Sequence, residues 1–187
     1  MTVTGQVVVV TGPPGAGKST VSRLLTRMFS PSVHLHTDDF WSFIAEGAIP
    51  PYLPEARRQN EVVMDVLVEA AFGYARGGYQ VVLDGVVGPW FIGGFLRAAK
   101  THDVCLRYVV LRPDEDTTLA RAAGRGPDAL TEREPVLSMY RQFQDLGALE
   151  RCVLDSGGQA PEATAEHVRK ALSAPESALW IPDGPGQ

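Results

Sequence analysis

Gly12, Gly17, Lys18 and Ser19 fill the spacing G-x-x-x-x-G-K-[ST], a set of residue types suited to gripping a polyanion. Glycines at 12, 15 and 17 let the chain turn and bring its N–H groups close to phosphate without a Cβ in the way. Pro13 and Pro14 lack N–H groups, so they stiffen the entry while Gly15, Ala16, Gly17, Lys18, Ser19 and Thr20 donate. The expected chemistry is nucleotide phosphate binding, with Lys18 reaching the β- and γ-phosphates and the Ser19 hydroxyl on Mg²⁺.

Carboxylates and arginines recur where they would meet such a phosphate. Asp38 and Asp39 follow an apolar run, and one of them is expected to accept the proton of an attacking hydroxyl. The competing reading is that one merely caps a helix over 40–46. Asp84, followed by Gly85, stands where a carboxylate would orient Mg²⁺ through water. A hydrolytic ATPase typically carries glutamate at the next position, so glycine there points to transfer onto another acceptor. Arg121 and Arg125, four apart on one helical face before a Gly-Pro hinge, are expected on a lid over about 121–130 that covers the triphosphate. The alternative is an ordinary surface helix.

Acceptor contacts are expected from Asp39, Trp41, Arg57 and Trp90. For Arg57 and its neighbours Arg58 and Asn60, solvated helix charges are an equal alternative, and for Trp90 so is a core tryptophan. His34 and His36 alternate and share a face; without further ligands nearby they read as a packed or surface pair rather than a metal site.

These groups need a scaffold, and the chain supplies one. Five apolar runs, 6–11, 33–37, 80–84, 105–111 and 151–154, alternate with helical patterns, which predicts a parallel sheet with helices on both faces. Ligands gather at the carboxyl ends of such strands. A long helix is expected from Pro54 to about Arg76, burying Val62, Val63, Val66, Leu67 and Ala70. Thr131 to Glu134 reads as a capping box opening a helix to 146. Leu154 to Gln159 lies too late in the chain for a transporter-ATPase signature, and residues 155–159 are expected to edge the adenine pocket. One domain over 1–173 is expected, with 174–187, rich in proline and glycine, loosely held.

At 187 residues and net charge −5, with no block of like charge, the chain is not expected to bind nucleic acid non-specifically. Lys18 is one of very few lysines against many arginines. Cys105 and Cys152 read as core residues in a reducing compartment. No basic leader or apolar stretch of membrane length is seen, so the expectation is a soluble cytoplasmic protein; the sequence sets no oligomeric state.

The phosphate loop, Asp38-Asp39-Phe40, Asp84-Gly85 and the arginine pair together resemble the small P-loop kinases of the AAA-type ATP-binding kind, in the group holding chloramphenicol phosphotransferase, gluconate kinase, polynucleotide kinase and zeta toxin. The resemblance covers residues 5 to about 173. It implies a P-loop NTPase fold with a five-stranded parallel sheet in order 2-3-1-4-5, ATP and Mg²⁺ as co-substrates, and phosphorylation of a small-molecule hydroxyl. It also implies Asp38 as base, since the family's base stands two before an aromatic residue, with Asp39 a possible substitute. Trp41 stands where the toxin and polynucleotide branches often carry arginine, which weighs against a nucleic-acid or nucleotide-sugar acceptor. Phe40, Trp41, Phe43, Tyr52 and Trp90 suggest an apolar acceptor pocket, suited to an antibiotic or other drug-like alcohol.

Two other classes stand beside this one. A nucleotide-dependent switch would bind without acceptor-dependent turnover, and the guanine-reading string Asn-Lys-x-Asp is absent. A nucleic-acid 5′-hydroxyl kinase is disfavoured by the acidic balance.

Overall fold

A computed structural model describes residues 4–124, 126 and 130–182. Strand β1, Gln6–Thr11, carries four consecutive valines, all with no exposed surface, as a strand covered on both faces requires. It lies between β3 (Gln80–Asp84) and β4 (Cys105–Leu111), parallel to both. Strand β2 (Ser32–His36) extends the sheet beyond β3, and β5 (Val153–Leu154) pairs with the end of β4, giving the order 2-3-1-4-5.

The alternating faces of these strands bury separate cores. Val7, Val9, Val81, Leu83 and Tyr108 pack with helices α3 (Arg57–Arg76) and α4 (Ile92–His102). On the opposite face, Val8, Val10, Val82 and Val109 meet α1 (Lys18–Thr26) and α7 (Pro161–Ala171). Between β2 and α3 comes the short helix α2 (Thr37–Ser42); after β4 come α5 (Glu115–Ala123) and α6 (Arg133–Gln142).

Several local expectations are corrected. α2 begins at Thr37, directly off β2, so Asp38 and Asp39 stand inside its first turn and neither caps it. α3 follows a 3₁₀ turn at Pro54–Ala56, and its buried face is Val63, Met64, Leu67, Val68, Ala71 and Phe72, while Val62 and Val66 face out. α6 starts at Arg133 with no side-chain cap, so the expected capping box is not formed. Arg151 and Cys152 belong to a 3₁₀ turn rather than to β5.

The segment after 173 is not loose as far as Trp180. Ala178–Trp180 forms β6, antiparallel to β4, and brings the sheet to six strands. Arg107 donates to the Ala174 carbonyl at 2.9 Å and Arg151 to that of Ala178 at 3.2 Å, tying the approach to β6 down. Among the described residues, no helix is long and apolar enough to cross a membrane.

Candidate active site

The turn from β1 into α1 wraps around its own backbone. Gly15 has φ +85°, and a Cβ there would fall 2.4 Å from the Thr118 carbonyl oxygen, so the loop touches α5 at a point open only to glycine. Lys18 Nζ donates across the loop to the Pro13 carbonyl at 2.9 Å, and Gly17 caps α1. Pro13 and Pro14 are buried, Gly12 and Ala16 too, whereas Thr20 is exposed at the start of the helix. Free N–H groups at a helix N-terminus, backed by the helix dipole, suit an anion.

Beside the loop stands Asp84, at the end of β3 and without exposed surface. Its Oδ2 accepts from Ser19 Oγ at 2.6 Å. Two imidazoles complete its surroundings: His34 Nε2 lies 2.5 Å from Oδ1 and His36 Nδ1 lies 3.1 Å from Oδ2. Burial pushes Asp84 up, but hydrogen bonds from His34, His36 and Ser19 outweigh it and hold the carboxyl well below the usual carboxylate range. The hydrogen bond to Asp84 raises His36 above its ordinary 6.5 against the opposing effect of burial, and the charges of Asp84, Asp38 and Asp39 add to it. Mg²⁺ is commonly held by one or two protein oxygens plus substrate phosphates, and the adjoining Ser19 hydroxyl and Asp84 carboxylate supply hard oxygens of that kind.

From the sequence the histidines read as a packed or surface pair; the structure brings them into the site instead. The parallel pairing of β2 and β3 places His36 opposite Asp84. The signal was the shared face of His34 and His36, read together with the possibility that their strand neighbours the one ending in Asp84.

Asp38 and Asp39 are exposed at the same rim. Asp38 Oδ2 lies 3.7 Å from His36 Nε2, and Oδ1 accepts from Thr37 Oγ1 at 3.3 Å. Thr37 is buried, in space that Gly85 leaves: a Cβ on Gly85 would lie 1.8 Å from Thr37 Oγ1. The loop after Asp84 is pinned through Val87, whose N–H donates to Thr11 Oγ1 at 2.9 Å and whose carbonyl accepts from Tyr108 at 2.6 Å.

Arg121 is exposed in the last turn of α5, and both its terminal nitrogens face the Ser156 carbonyl, at 3.3 and 3.4 Å. Ser156 Oγ in turn donates to the Ala16 carbonyl at 3.2 Å, linking α5, the 155–159 loop and the phosphate loop. Arg125 and residues 127–129 of the expected lid lie outside the described residues.

The expected acceptor residues lie on separate elements: Asp39 and Trp41 on α2, Arg57 at the start of α3 and Trp90 in the loop before α4. Trp41 is half-buried, its Nε1 donating to Asn60 Oδ1 at 2.8 Å; Asn60 donates to the Pro51 carbonyl, also at 2.8 Å. Arg57 points into solvent and meets Glu61 at 3.2 Å, so its interaction is an exposed helix pair. Trp90 is half-exposed, edge-on to Phe143 with centroids 5.9 Å apart, which makes it partly wall and partly core.

A family model described as AAA domain matches residues 8–137, more than half of the chain. The chain belongs to this family. The match begins in β1 of this AAA domain, takes in the phosphate loop, β2, Asp84 and Arg121, and ends within α6. No curated protein matches the sequence. Solved structures share the fold of the AAA domain at low identity. A sugar kinase from Janibacter sp. HTCC2649 is 20% identical with a TM-score of 0.67, over 94% of this chain and 99% of that one. The Mycobacterium tuberculosis APS kinase, in complex with AMPPNP and APS, is 16% identical with a TM-score of 0.70, over 91% and 99%. A Deinococcus radiodurans tunicamycin resistance protein is 16% identical with a TM-score of 0.59, over 96% and 99%. The P-loop NTPase fold and its strand order, expected from the sequence, are thus shown.

Proposed function

We propose that this protein is a phosphotransferase that moves the γ-phosphate of ATP, with Mg²⁺, onto a hydroxyl of a small molecule. The observation that carries the reading is the grouping of Lys18, Ser19 and buried Asp84 at the phosphate loop, with exposed Asp38 at the same rim. Kinases of the same fold, one of them in complex with AMPPNP, support it.

In this mechanism the N–H groups of Gly15 to Thr20 cradle the phosphates, and Lys18 exchanges the Pro13 carbonyl for phosphate oxygens. Ser19 and Asp84 hold Mg²⁺, which supplies charge neutralisation when bound. Asp38 takes the proton of the acceptor hydroxyl as that oxygen bonds to the γ-phosphorus and the bond to ADP breaks. Arg121, joined by Arg125, turns from Ser156 to the triphosphate and stabilises developing charge.

The acceptor side is apolar and short of cations. Phe43, Tyr52 and Leu53 are exposed, Lys and Arg are missing between Arg27 and Arg57, and Arg57 and Arg58 both pair with Glu61. An uncharged or cationic alcohol with an apolar body, such as an antibiotic or metabolite alcohol, fits better than an anion, with Asp39, Trp41 and Trp90 as the contacts. Nucleic acid, an extended polyanion, is disfavoured on the same ground. ATP as donor favours a cytoplasmic setting.

The test is a screen of metabolite and antibiotic alcohols for ATP-dependent mass gain of one phosphate, with Lys18→Ala as control. Acceptor-independent ADP release alone would mark a nucleotide switch. A chain with no affinity for MgATP at millimolar concentration would refute the reading altogether.

A further inference from the structure

One imidazole stands between the two carboxylates of the site. His36 presents Nδ1 to Asp84 Oδ2 at 3.1 Å and Nε2 to Asp38 Oδ2 at 3.7 Å. The Asp84 end is rigid: the carboxylate is fully buried and also held by Ser19 at 2.6 Å and His34 at 2.5 Å. The Asp38 end is not rigid by itself. Its side chain is 69% exposed on a helix of six residues, where a free carboxylate samples several rotamers.

Contacts on both oxygens limit that freedom. His36 faces Oδ2, and Thr37, buried against Gly85, donates to Oδ1 at 3.3 Å. Parallel pairing of His36 with Asp84 fixes the base of the imidazole, so its far nitrogen is placed by the sheet rather than by α2.

We infer that His36 is a positioning residue: it spans from Asp84 to Asp38 and sets the direction of the Asp38 carboxylate. The inference rests on the reading of Asp38 as base. His36 touches neither nucleotide nor acceptor in this role; it acts through Asp38. A misplacement of about 1 Å in a reacting group costs on the order of a hundredfold in rate, so loss of this guide falls on turnover rather than on nucleotide binding.

Two substitutions separate the two ends of the ring. In His36→Asn the side-chain amide nitrogen takes roughly the place of Nδ1, keeping a donor for Asp84 while leaving Asp38 alone. In His36→Gln the amide nitrogen takes roughly the place of Nε2 and restores a donor for Asp38. ADP release from MgATP, with water as acceptor, is measured for wild type, H36N, H36Q, D38N and H36N/D38N, beside AMPPNP affinity. In parallel, imidazole ¹⁵N spectra follow His36 in wild type and D38N. The expected result is AMPPNP affinity within about twofold throughout and a rate about tenfold lower or worse in H36N. H36Q regains most of it, H36N/D38N is no slower than D38N, and the His36 Nε2 resonance moves in D38N.

Full activity in H36N, a double variant slower by the product of the single losses, or an unmoved Nε2 resonance overturns the inference. If wild type releases no ADP without an alcohol, the resonance decides alone. Wild-type rates in D38N together with a moved resonance would leave the contact standing and remove Asp38 as base, so the two failures are told apart.

Discussion

Replacing Tyr108 with phenylalanine removes a single oxygen from the interior. The ring has no exposed surface, its hydroxyl donates to the Val87 carbonyl at 2.6 Å, and Val87 is itself fully buried. Burial pushes the phenol well above its ordinary 10.0, so it remains a neutral donor at any working pH. Without it the Val87 carbonyl has lost its partner where the solvent cannot replace it, and a buried unsatisfied acceptor costs about 1–3 kcal/mol. Ring packing is otherwise kept, so no large cavity adds to that. In a domain of this size each kcal/mol moves Tm by about 2–4 °C, so the midpoint should fall by roughly 2–12 °C. Thermal unfolding and a urea titration with unchanged slope m would measure it. Thr11→Val removes the acceptor of the Val87 N–H and should act similarly. The double variant should cost less than the sum, because either change alone lets the same loop residue shift. A Tyr108→Phe midpoint within about 1 °C of wild type would refute the argument that β1 and β4 pin the loop beside Asp84 through this one residue.

Three further outcomes follow from the site. Asp38→Asn should leave MgATP affinity intact and reduce phosphoryl transfer by about 10²–10⁴-fold, measured by calorimetry and by product formation with the alcohol found in the screen. Gly15→Ala should weaken MgATP binding at least tenfold and lower Tm, since its Cβ would lie 2.4 Å from the Thr118 carbonyl at φ +85°; wild-type affinity would contradict this. In metal-free protein the raised value of His36 means that its charged form contributes stability fully below about pH 6.5, lost as pH rises through the folded value. Tm should therefore drift down as pH rises above about 6.5, and His36→Gln should flatten that slope; an equal slope in both proteins would assign it to other groups.

The parts legible in the sequence are those where backbone physics admits few residue types. A chain that must fold back on itself around phosphate needs the glycines of 12–17 and the lysine that follows, and four valines in a row leave little choice but a buried strand. Where many residues would serve, the sequence pattern does not choose among them. In α3 the run Val62, Val63, Met64, Val66, Leu67, Val68 is apolar at almost every position, so hydrophobicity could not choose the face; packing on β1 and β3 did, and left Val62 and Val66 outside. His34 and His36 gained their role from a strand 50 residues away, through a pairing that no local spacing reveals. Proline and glycine after 173 suggested a free end, but Leu179 and Trp180 pack against the core and Arg107 and Arg151 hold the backbone before them.

That end has a practical bearing on how the protein is handled. β5 meets β4 only at Val110 and Leu111, while β6 covers Leu106 and Arg107 from the other direction. A shortened form stopping at residue 173 would strip the lower half of that border, leaving amide and carbonyl groups ready to recruit a strand from another molecule. Soluble preparations for crystallisation or screening are best carried past Trp180, even though the nucleotide-binding loop lies at the far end of the sequence.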